Sequence, residues 1–481
     1  MSTTPKTKTV SAAMFSQIGI KEKEKMFKIA LIGAGSIGFS LNFFKDFLLD
    51  GNLRERAEIA LMDISEERLN HAVTLINILM KKLNCKAEIT ASTNLEEALA
   101  GAKYIVTVIR AGTPAMQDLE YEIPKSYGVE QVVGDSLGPG GIFRGLRVLK
   151  ELFKIADVAE KVCPGAVWLN YVNPMSLNTI ALNRYCRTIK VYGLCHGVQA
   201  THRAISAAVG KEPQEVVSRC VGINHQAFFL NFTDREGNDL YPQLRQVMND
   251  KNSLYYRKEK VRFELMRSFG FFPTESSGHA SEYVPYFRKR KELIEKFCKS
   301  EIPVMVGDDG IDYGPMTAGE SGAAIEINVQ RNANWPGYLQ ELLEGKRELN
   351  TAPSQEYAMR IISAIENNNN FNANVNVMNN GLIPTLPPGC SVEVPCLVNG
   401  NGIQPTNCPD YPEQCAALNR GMINVQILAA EAALSGSREK VHYAMAVDPL
   451  TAAVCSLDEI REMTDKLFDA LKEALDERFF Q

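Results

Sequence analysis

Residues 28–38 read Lys-Ile-Ala-Leu-Ile-Gly-Ala-Gly-Ser-Ile-Gly, an apolar strand running directly into a complete G-x-G-x-x-G. Few short stretches constrain a fold so strongly. Gly33 permits the tight turn, Gly35 lets backbone approach a pyrophosphate, and Gly38 lets the following helix pack close to the strand. Ser36 and Ile37 complete the turn. The phosphates are expected at the N-terminus of the next helix, where unpaired N–H groups and the helix dipole favour negative charge. A second apolar run, Ala57 to Asp63, ends in an acid 25 residues after Gly38. That spacing suits a carboxylate on ribose hydroxyls and favours NAD over NADP. A third strand, Tyr104 to Ile109, leads into the loop Arg110-Ala-Gly112-Thr, which places Arg110 among the cofactor-binding candidates. Alternation of strand and helix predicts an α/β fold: a Rossmann-like, doubly wound parallel sheet of the lactate/malate-dehydrogenase type, followed by a second mixed α/β domain.

At 481 residues the chain is long enough for two fused domains. A net charge of −5 without any basic block argues against nucleic acid or an anionic membrane surface as partner. No apolar run approaches the ~18–20 residues of a membrane span. The 11 cysteines are odd in number, scattered and mostly in apolar runs, which fits reduced thiols in a cytoplasm. Residues 1–25 are Thr/Lys-rich and then amphipathic, and are expected to form a flexible leader or short added helix.

The expected division is a nucleotide-binding domain over 26–214 and a domain for substrate, metal and oligomerisation over 215–481. Within the first, Ala115 to Ile123 has a helical pattern that should stop at Pro124. A glycine-dense loop, Gln131 to Ile142, feeds a helix from Arg144 to Val162. Strands at 166–170 and 190–194 end in the polar clusters Tyr171-Val-Asn173-Pro174 and Cys195-His196-Gly197-Val198. Ligands of open α/β sheets gather at the carboxyl ends of the strands, so these clusters and the glycine-dense loop should meet. Further on, residues 226–232 predict a strand, 303–325 a Gly/Asp-rich loop, and the Asn-rich stretch 366–380 an edge strand. Helices are expected over 354–365, over 416–435 and from Leu457. No internal repeat is present.

Cys195-His196 and Gly222-Ile-Asn-His225 carry the second chemical signal. A thiolate and an imidazole at strand ends suit a first-row divalent ion with open positions for substrate oxygens and water. Taken singly, each also reads as a buried thiol and a hydrogen-bonded core histidine. Combined with Asn173 and the glycine-dense loop, they favour the metal.

The chain as a whole resembles glycoside hydrolase family 4, in its melibiase-like (α-galactosidase) branch. The resemblance rests on Gly33–Gly38, Leu61-Met-Asp63, Gly134–Ile142, Asn170–Met175, Gly193–His196, Gly222–His225, Thr274–His279 with Glu282-Tyr283, and Gly389–Pro405. It implies an α-glycosidase using NAD and Mn2+ or another divalent cation. In that family NAD+ takes a hydride from C3 of the sugar and thereby acidifies the C2 proton. The metal holds the C2 and C3 oxygens, a base removes the proton, and the C1 substituent leaves. Water then adds and the hydride returns. By resemblance, Cys195 and His225 match the metal ligands, and Asn173 stands between substrate and nicotinamide. His196 protonates the leaving oxygen. Tyr283 stands where the family's phenolic base appears and reads equally as a core aromatic in an amphipathic stretch with Tyr286 and Phe287; His279 competes as base or substrate contact. Asp135 either binds a sugar hydroxyl or caps the following helix; Arg144 either clamps substrate or pairs with surface acids.

Two positions depart from the branch: Gly197 stands where Ser is usual and Gly278 where Glu is. Both changes remove bulk and predict room for a larger or anionic C6 substituent, so an α-glucuronidase or α-galacturonidase is the alternative. No compact Arg/Lys/Ser cluster suggests a phosphosugar. A malate- or lactate-type dehydrogenase shares the nucleotide fold but does not call for Cys195 with His225, and a non-catalytic sensor would have lost these ligands. The resemblance further implies a homodimer or homotetramer acting on a small-molecule sugar.

Overall fold

The structure is a computed structural model that describes residues 26–302, 305 and 311–481. The expected leader at 1–25 lies outside the described residues, as does most of 303–310. In chain order the strands are β1 (Phe27–Ile32), β2 (Ala57–Met62), β3 (Glu88–Ser92), β4 (Ala102–Thr107), β5 (Val167–Asn170), β6 (Lys190–Gly193), β7 (Val216–Ile223), β8 (Gln226–Asp234), β9 (Phe371–Met378), β10 (Ser391–Asn399) and β11 (Gly402–Pro405). They form one sheet in the order β3-β2-β1-β4-β5-β6-β9-β10-β7-β8, with β11 paired to β10. From β3 to β6 all pairs are parallel; from β6 onward they are antiparallel.

The parallel half follows from its sequence. Ile29, Ala30 and Leu31 of β1 and Tyr104, Ile105 and Val106 of β4 are fully buried, as expected of strands covered by helices on both faces. β3 escaped the sequence reading because it is the sheet's edge. Its Glu-Ile-Thr-Ala-Ser is half-exposed and lacks an apolar run.

β9 corrects the expectation of an edge strand, since it lies inside the sheet between β6 and β10. Its asparagines alternate with buried Ala373, Val375 and Val377, and they stitch strands together. Asn374 Nδ2 donates to the carbonyl of Cys220 at 2.8 Å, and Asn376 Nδ2 to that of Gly193 at 3.4 Å. One rung of paired residues crosses the sheet at this level: Thr107, Asn170, Gly193, Asn376, Glu393 and Gly222. The carboxyl ends of the parallel strands open just above it.

Two helix boundaries also differ from expectation. The helix Pro114–Ser126, capped by Thr113, runs through Pro124 to its last turn. The helix expected from Arg144 already begins at Gly138 and continues to Val162, so most of the glycine-dense loop is helical. Crowding explains the glycines: a Cβ on Gly140 would lie 2.9 Å from the carbonyl oxygen of Glu120, and one on Gly141 2.7 Å from the backbone of Ser136. Within 303–325, the described part contains a helix at Gly314–Ala318 and the start of the helix Ala323–Leu343, so it is not one loop. No helix among the described residues is long and apolar enough to cross a membrane.

Candidate active site

A cleft of about 490 Å³ lies above the carboxyl ends of β1, β4, β5 and β6. Ser36 and Arg110 face it from the nucleotide side. Asp135, Arg144, Asn173, Cys195, His196, His225 and His279 face it from the other.

At the nucleotide end, Gly33 adopts φ 92°, and a Cβ on Gly35 would lie 2.6 Å from Asp63 Oδ2. Asp63 accepts the Gly35 N–H at 2.8 Å and the Ser65 N–H at 3.0 Å, so this acid locks the glycine turn. Gly38 differs from expectation: it is exposed, and a Cβ there would meet nothing within 4 Å. It leaves the first turn of the helix Ile37–Leu49 open rather than packing that helix onto β1. The N-cap of that helix, Ser36, makes no side-chain capping bond.

The metal candidates meet. Ligand atoms of Cys195, His225 and Glu275 all lie within 4.8 Å of one another. Cys195 follows β6. His225 occupies the two-residue turn between β7 and β8, in the left-handed region at φ 62° that non-glycine residues seldom adopt. Ser136 Oγ lies 3.3 Å from His225 Nδ1, which directs the other ring nitrogen elsewhere. Burial, followed by the charge of His279, lowers the His225 imidazole to about 4, so it is neutral as a metal ligand must be. Burial, reinforced by Glu393, pushes the Cys195 thiol well up; a cation is what would offset this. Thiolate, imidazole and carboxylate together suit a divalent first-row ion.

Asp135 is the hub of the remaining groups. It accepts from Asn173 Nδ2 at 3.0 Å and Ser136 Oγ at 2.6 Å, and faces Arg144 Nη1 at 4.0 Å and His279 Nε2 at 3.8 Å. It does not cap the following helix, whose N-cap is Leu137. Arg144 turns into the cleft and not to the surface. His279 is clamped between Asp135 and Glu275, whose Oε2 is 3.1 Å from Nδ1. Burial would lower the imidazole, but Glu275 and Asp135 outweigh it and hold it at about 9. In return, His279, His225 and His196 overcome burial and hold the Glu275 carboxyl at about 2. Asp135 is held well below the usual carboxylate range against its burial, by His279 and Arg144.

Tyr283 is buried in the wall behind His225, ring centroids 6.3 Å apart, and does not line the cleft. Burial and then Asp135 push its phenol well up, while Ser136 pulls it down. His196 is at the mouth, its side chain 58 % exposed and 3.6 Å from Glu356.

The two glycines expected to widen the sugar site do not. A Cβ on Gly278 would lie 2.2 Å from the carbonyl oxygen of Met316, and one on Gly197 2.8 Å from Glu275 Cγ. The freed volume is filled by the protein itself, so these two glycines do not enlarge the sugar site. The sequence also left Glu275, Ser136 and Glu282 without roles, although all three lie in the quoted motifs. Glu282 Oε1 accepts the N–H groups of Val132, Val133 and Gly134 and so shapes the loop carrying Asp135.

A dinucleotide-type sheet whose cleft holds a thiol, imidazole and carboxylate beside sugar-sized space defines a class, and the sequence comparison agrees. The chain belongs to the family 4 glycosyl hydrolases: the family model matches residues 28–211, and that of the family's C-terminal domain matches residues 220–451. The chain is 38 % identical over 449 residues to an α-galactosidase of Bacillus subtilis (strain 168), covering 92 % of this chain and 98 % of that protein. It is 34 % identical over 445 residues to an α-galactosidase of Rhizobium meliloti (strain 1021), covering 92 % and 87 %. The fold also matches a solved 6-phospho-alpha-glucosidase from gut microorganisms in complex with NAD and Mn2+, at TM-score 0.76 and 20 % identity, over 94 % of this chain and 99 % of that one.

Proposed function

We propose that the protein is an α-galactosidase that works by transient oxidation of the sugar, with NAD and Mn2+ in one cleft. The observation that carries this is the convergence of Cys195, His225 and Glu275 in the same cleft that Ser36 and Arg110 line. The similarity to two α-galactosidases supports the sugar. A bound nicotinamide dinucleotide supplies a reversible hydride acceptor and a divalent ion supplies Lewis acidity.

The chain's own residues divide the remaining work. Gly33, Gly35, Ser36, Ile37 and Gly38 receive the pyrophosphate, Asp63 is placed toward the ribose hydroxyls, and Arg110 lines the cofactor side of the cleft. Cys195, His225 and Glu275 hold the cation. Asn173, fixed by its Nδ2 bond to Asp135, lines the cleft between sugar and nicotinamide, while Asp135 and Arg144 orient sugar hydroxyls. His279, between Asp135 and Glu275 on the cleft wall, is placed to donate a hydrogen bond to the sugar or to compete for the base's role. By the family resemblance Tyr283 takes the C2 proton, from the wall behind His225; the Ser136 hydroxyl helps its phenol ionise, and a cation held by Cys195, His225 and Glu275 would bring it further into range. His196, exposed at the mouth, gives a proton to the leaving oxygen.

We assign residues 26–214 to the nucleotide side and 215–481 to the sugar and metal side; the break between the two family matches supports that division. A homodimer or homotetramer in the cytoplasm fits the family resemblance and the eleven free cysteines. The test is release of nitrophenol from a nitrophenyl α-galactoside. Activity should vanish with EDTA, return with Mn2+ and require NAD+, with solvent deuterium entering at C2. Activity indifferent to both NAD+ and metal overturns the reading.

A further inference from the structure

We infer that Gly197 is a positioning residue: its missing side chain admits Glu275 to the metal site as a third protein ligand. This rests on the metal reading above. Gly197 opens the helix Gly197–Ala208 directly after Cys195-His196 and donates its N–H to Cys195 Sγ at 3.3 Å. A Cβ at 197 would stand 2.8 Å from Glu275 Cγ, 3.3 Å from Glu275 Oε1 and 3.5 Å from Cys195 Sγ. The first distance is shorter than carbon atoms in contact tolerate, so something must give.

Glu275 has little freedom to give. Its backbone carbonyl accepts from Arg262 Nη1 at 2.7 Å and from Thr201 Oγ1 at 3.3 Å. Arg262 is itself almost fully buried and tied to Glu259 at 2.8 Å. On its far side the Glu275 carboxylate meets His279 at 3.1 Å. A side chain at 197 therefore drives the Glu275 side chain out of the space beside Cys195 rather than moving its backbone. The same atom would rest in ordinary contact with the Cys195 sulfur at 3.5 Å, so the displacement falls on Glu275. Gly197 touches neither sugar nor nucleotide in this scheme; it acts through Glu275.

Isothermal titration of Mn2+ into the full chain tests this with four variants. Gly197→Ala and Glu275→Gln should each weaken Mn2+ binding roughly 10–100-fold. The double variant should be no weaker than the worse single, because both changes remove one contact. NAD+ affinity should stay within about 2-fold throughout, which a general loss of structure would not allow. Parent-like Mn2+ affinity in Gly197→Ala, or losses that multiply in the double variant, overturns the inference. Should Gly197→Ala fail to fold, Glu275→Gln decides alone, since it adds no bulk: parent-like Mn2+ affinity there overturns it, and a loss sustains it. Cys195→Ser separates the two levels. If it binds Mn2+ like the parent, the metal reading itself falls; if it loses Mn2+ while Gly197→Ala and Glu275→Gln do not, only the role of Gly197 falls.

Discussion

The two ends of the cleft use the same device for different purposes. At the nucleotide end, Gly35 has no side chain and Asp63 fills the space; at the metal end, Gly197 has none and Glu275 fills it. What holds each acid differs. Asp63 is satisfied by two backbone N–H groups, which belong to the fold and carry no charge of their own. Glu275 is held by His279, which is held by Asp135, which also faces Arg144. A carboxylate fixed by backbone is a structural part, whereas one fixed by titratable neighbours shares its charge state with them. The nucleotide end should thus behave as a rigid cradle, and the metal end as a coupled unit in which one loss is felt by all.

The sharpest way to break this contrast is to remove a metal ligand. Cys195→Ser or His225→Ala should lower hydrolysis of a nitrophenyl α-galactoside by about 10³-fold or more, given the several kcal/mol such a Lewis acid supplies. Equilibrium NAD+ binding, followed by isothermal titration, should change by less than about 2-fold. If NAD+ binding collapses along with turnover, the two ends are not separable.

Next in size is Tyr283→Phe, which removes the proposed base while leaving the ring packed beside His225. Turnover should fall on the order of 10²-fold, the usual contribution of a positioned acid or base. Mn2+ affinity should be unchanged, and exchange of the C2 hydrogen with solvent should fall in parallel. Retained exchange would return the deprotonation to the Glu275–His279–Asp135 group.

Gly35→Ala strikes the opposite end. Its Cβ would collide with Asp63 Oδ2 and with the Cβ of Arg68, both at 2.6 Å. NAD+ should bind about 10-fold more weakly, read as a higher apparent KM for NAD+, with Mn2+ titration unaltered. A matching loss of Mn2+ would mean that the cradle and the metal corner share more than a cleft.

The same contrast explains what could be read from the chain. Continuous apolar runs ending in glycine or in a chemically distinct residue revealed β1, β2, β4, β5 and β6, because strands buried on both faces must be apolar throughout. β3 and β9 were misjudged for the converse reason. The former is polar because it is an edge, and the latter is asparagine-rich because its side chains bond to Cys220 and Gly193 on neighbouring strands. At the site, Cys195 and His225 stood out by residue type. Glu275 did not: it lies in the quoted Thr274–His279 motif, but nothing there separates it from its neighbours as a ligand, and only the approach of its chain segment to Gly197 gives it a function. The glycines at 197 and 278 were legible as missing bulk, but what takes up that bulk is a property of packing between segments far apart in sequence.

The smallest expected effect concerns the rung beneath the metal corner, and it tests how far the coupled charges reach. Glu393 is buried between Asn376 and Gly222, and one of its oxygens, Oε1, has no hydrogen-bond partner among the described residues. Burial, and then the charge of Glu275, pushes its carboxyl up to about 8, against the help of Asn224 and Asn376. The folded protein therefore keeps a proton that the unfolded chain releases near the ordinary value of ~4.3. Stability from this group is complete below that value and drains away as pH rises toward 8, because the unfolded state binds fewer protons across the window. Glu393→Gln has no proton to lose. In thermal unfolding with EDTA and without NAD+, the variant should gain on the parent by more than about 1 kcal/mol between pH 5 and pH 8. The gain should shrink in a Glu275→Gln background, where the neighbouring charge is gone. An equal gap at both pH values would confine the coupled charges to the cleft wall and leave the rung beneath it electrically independent.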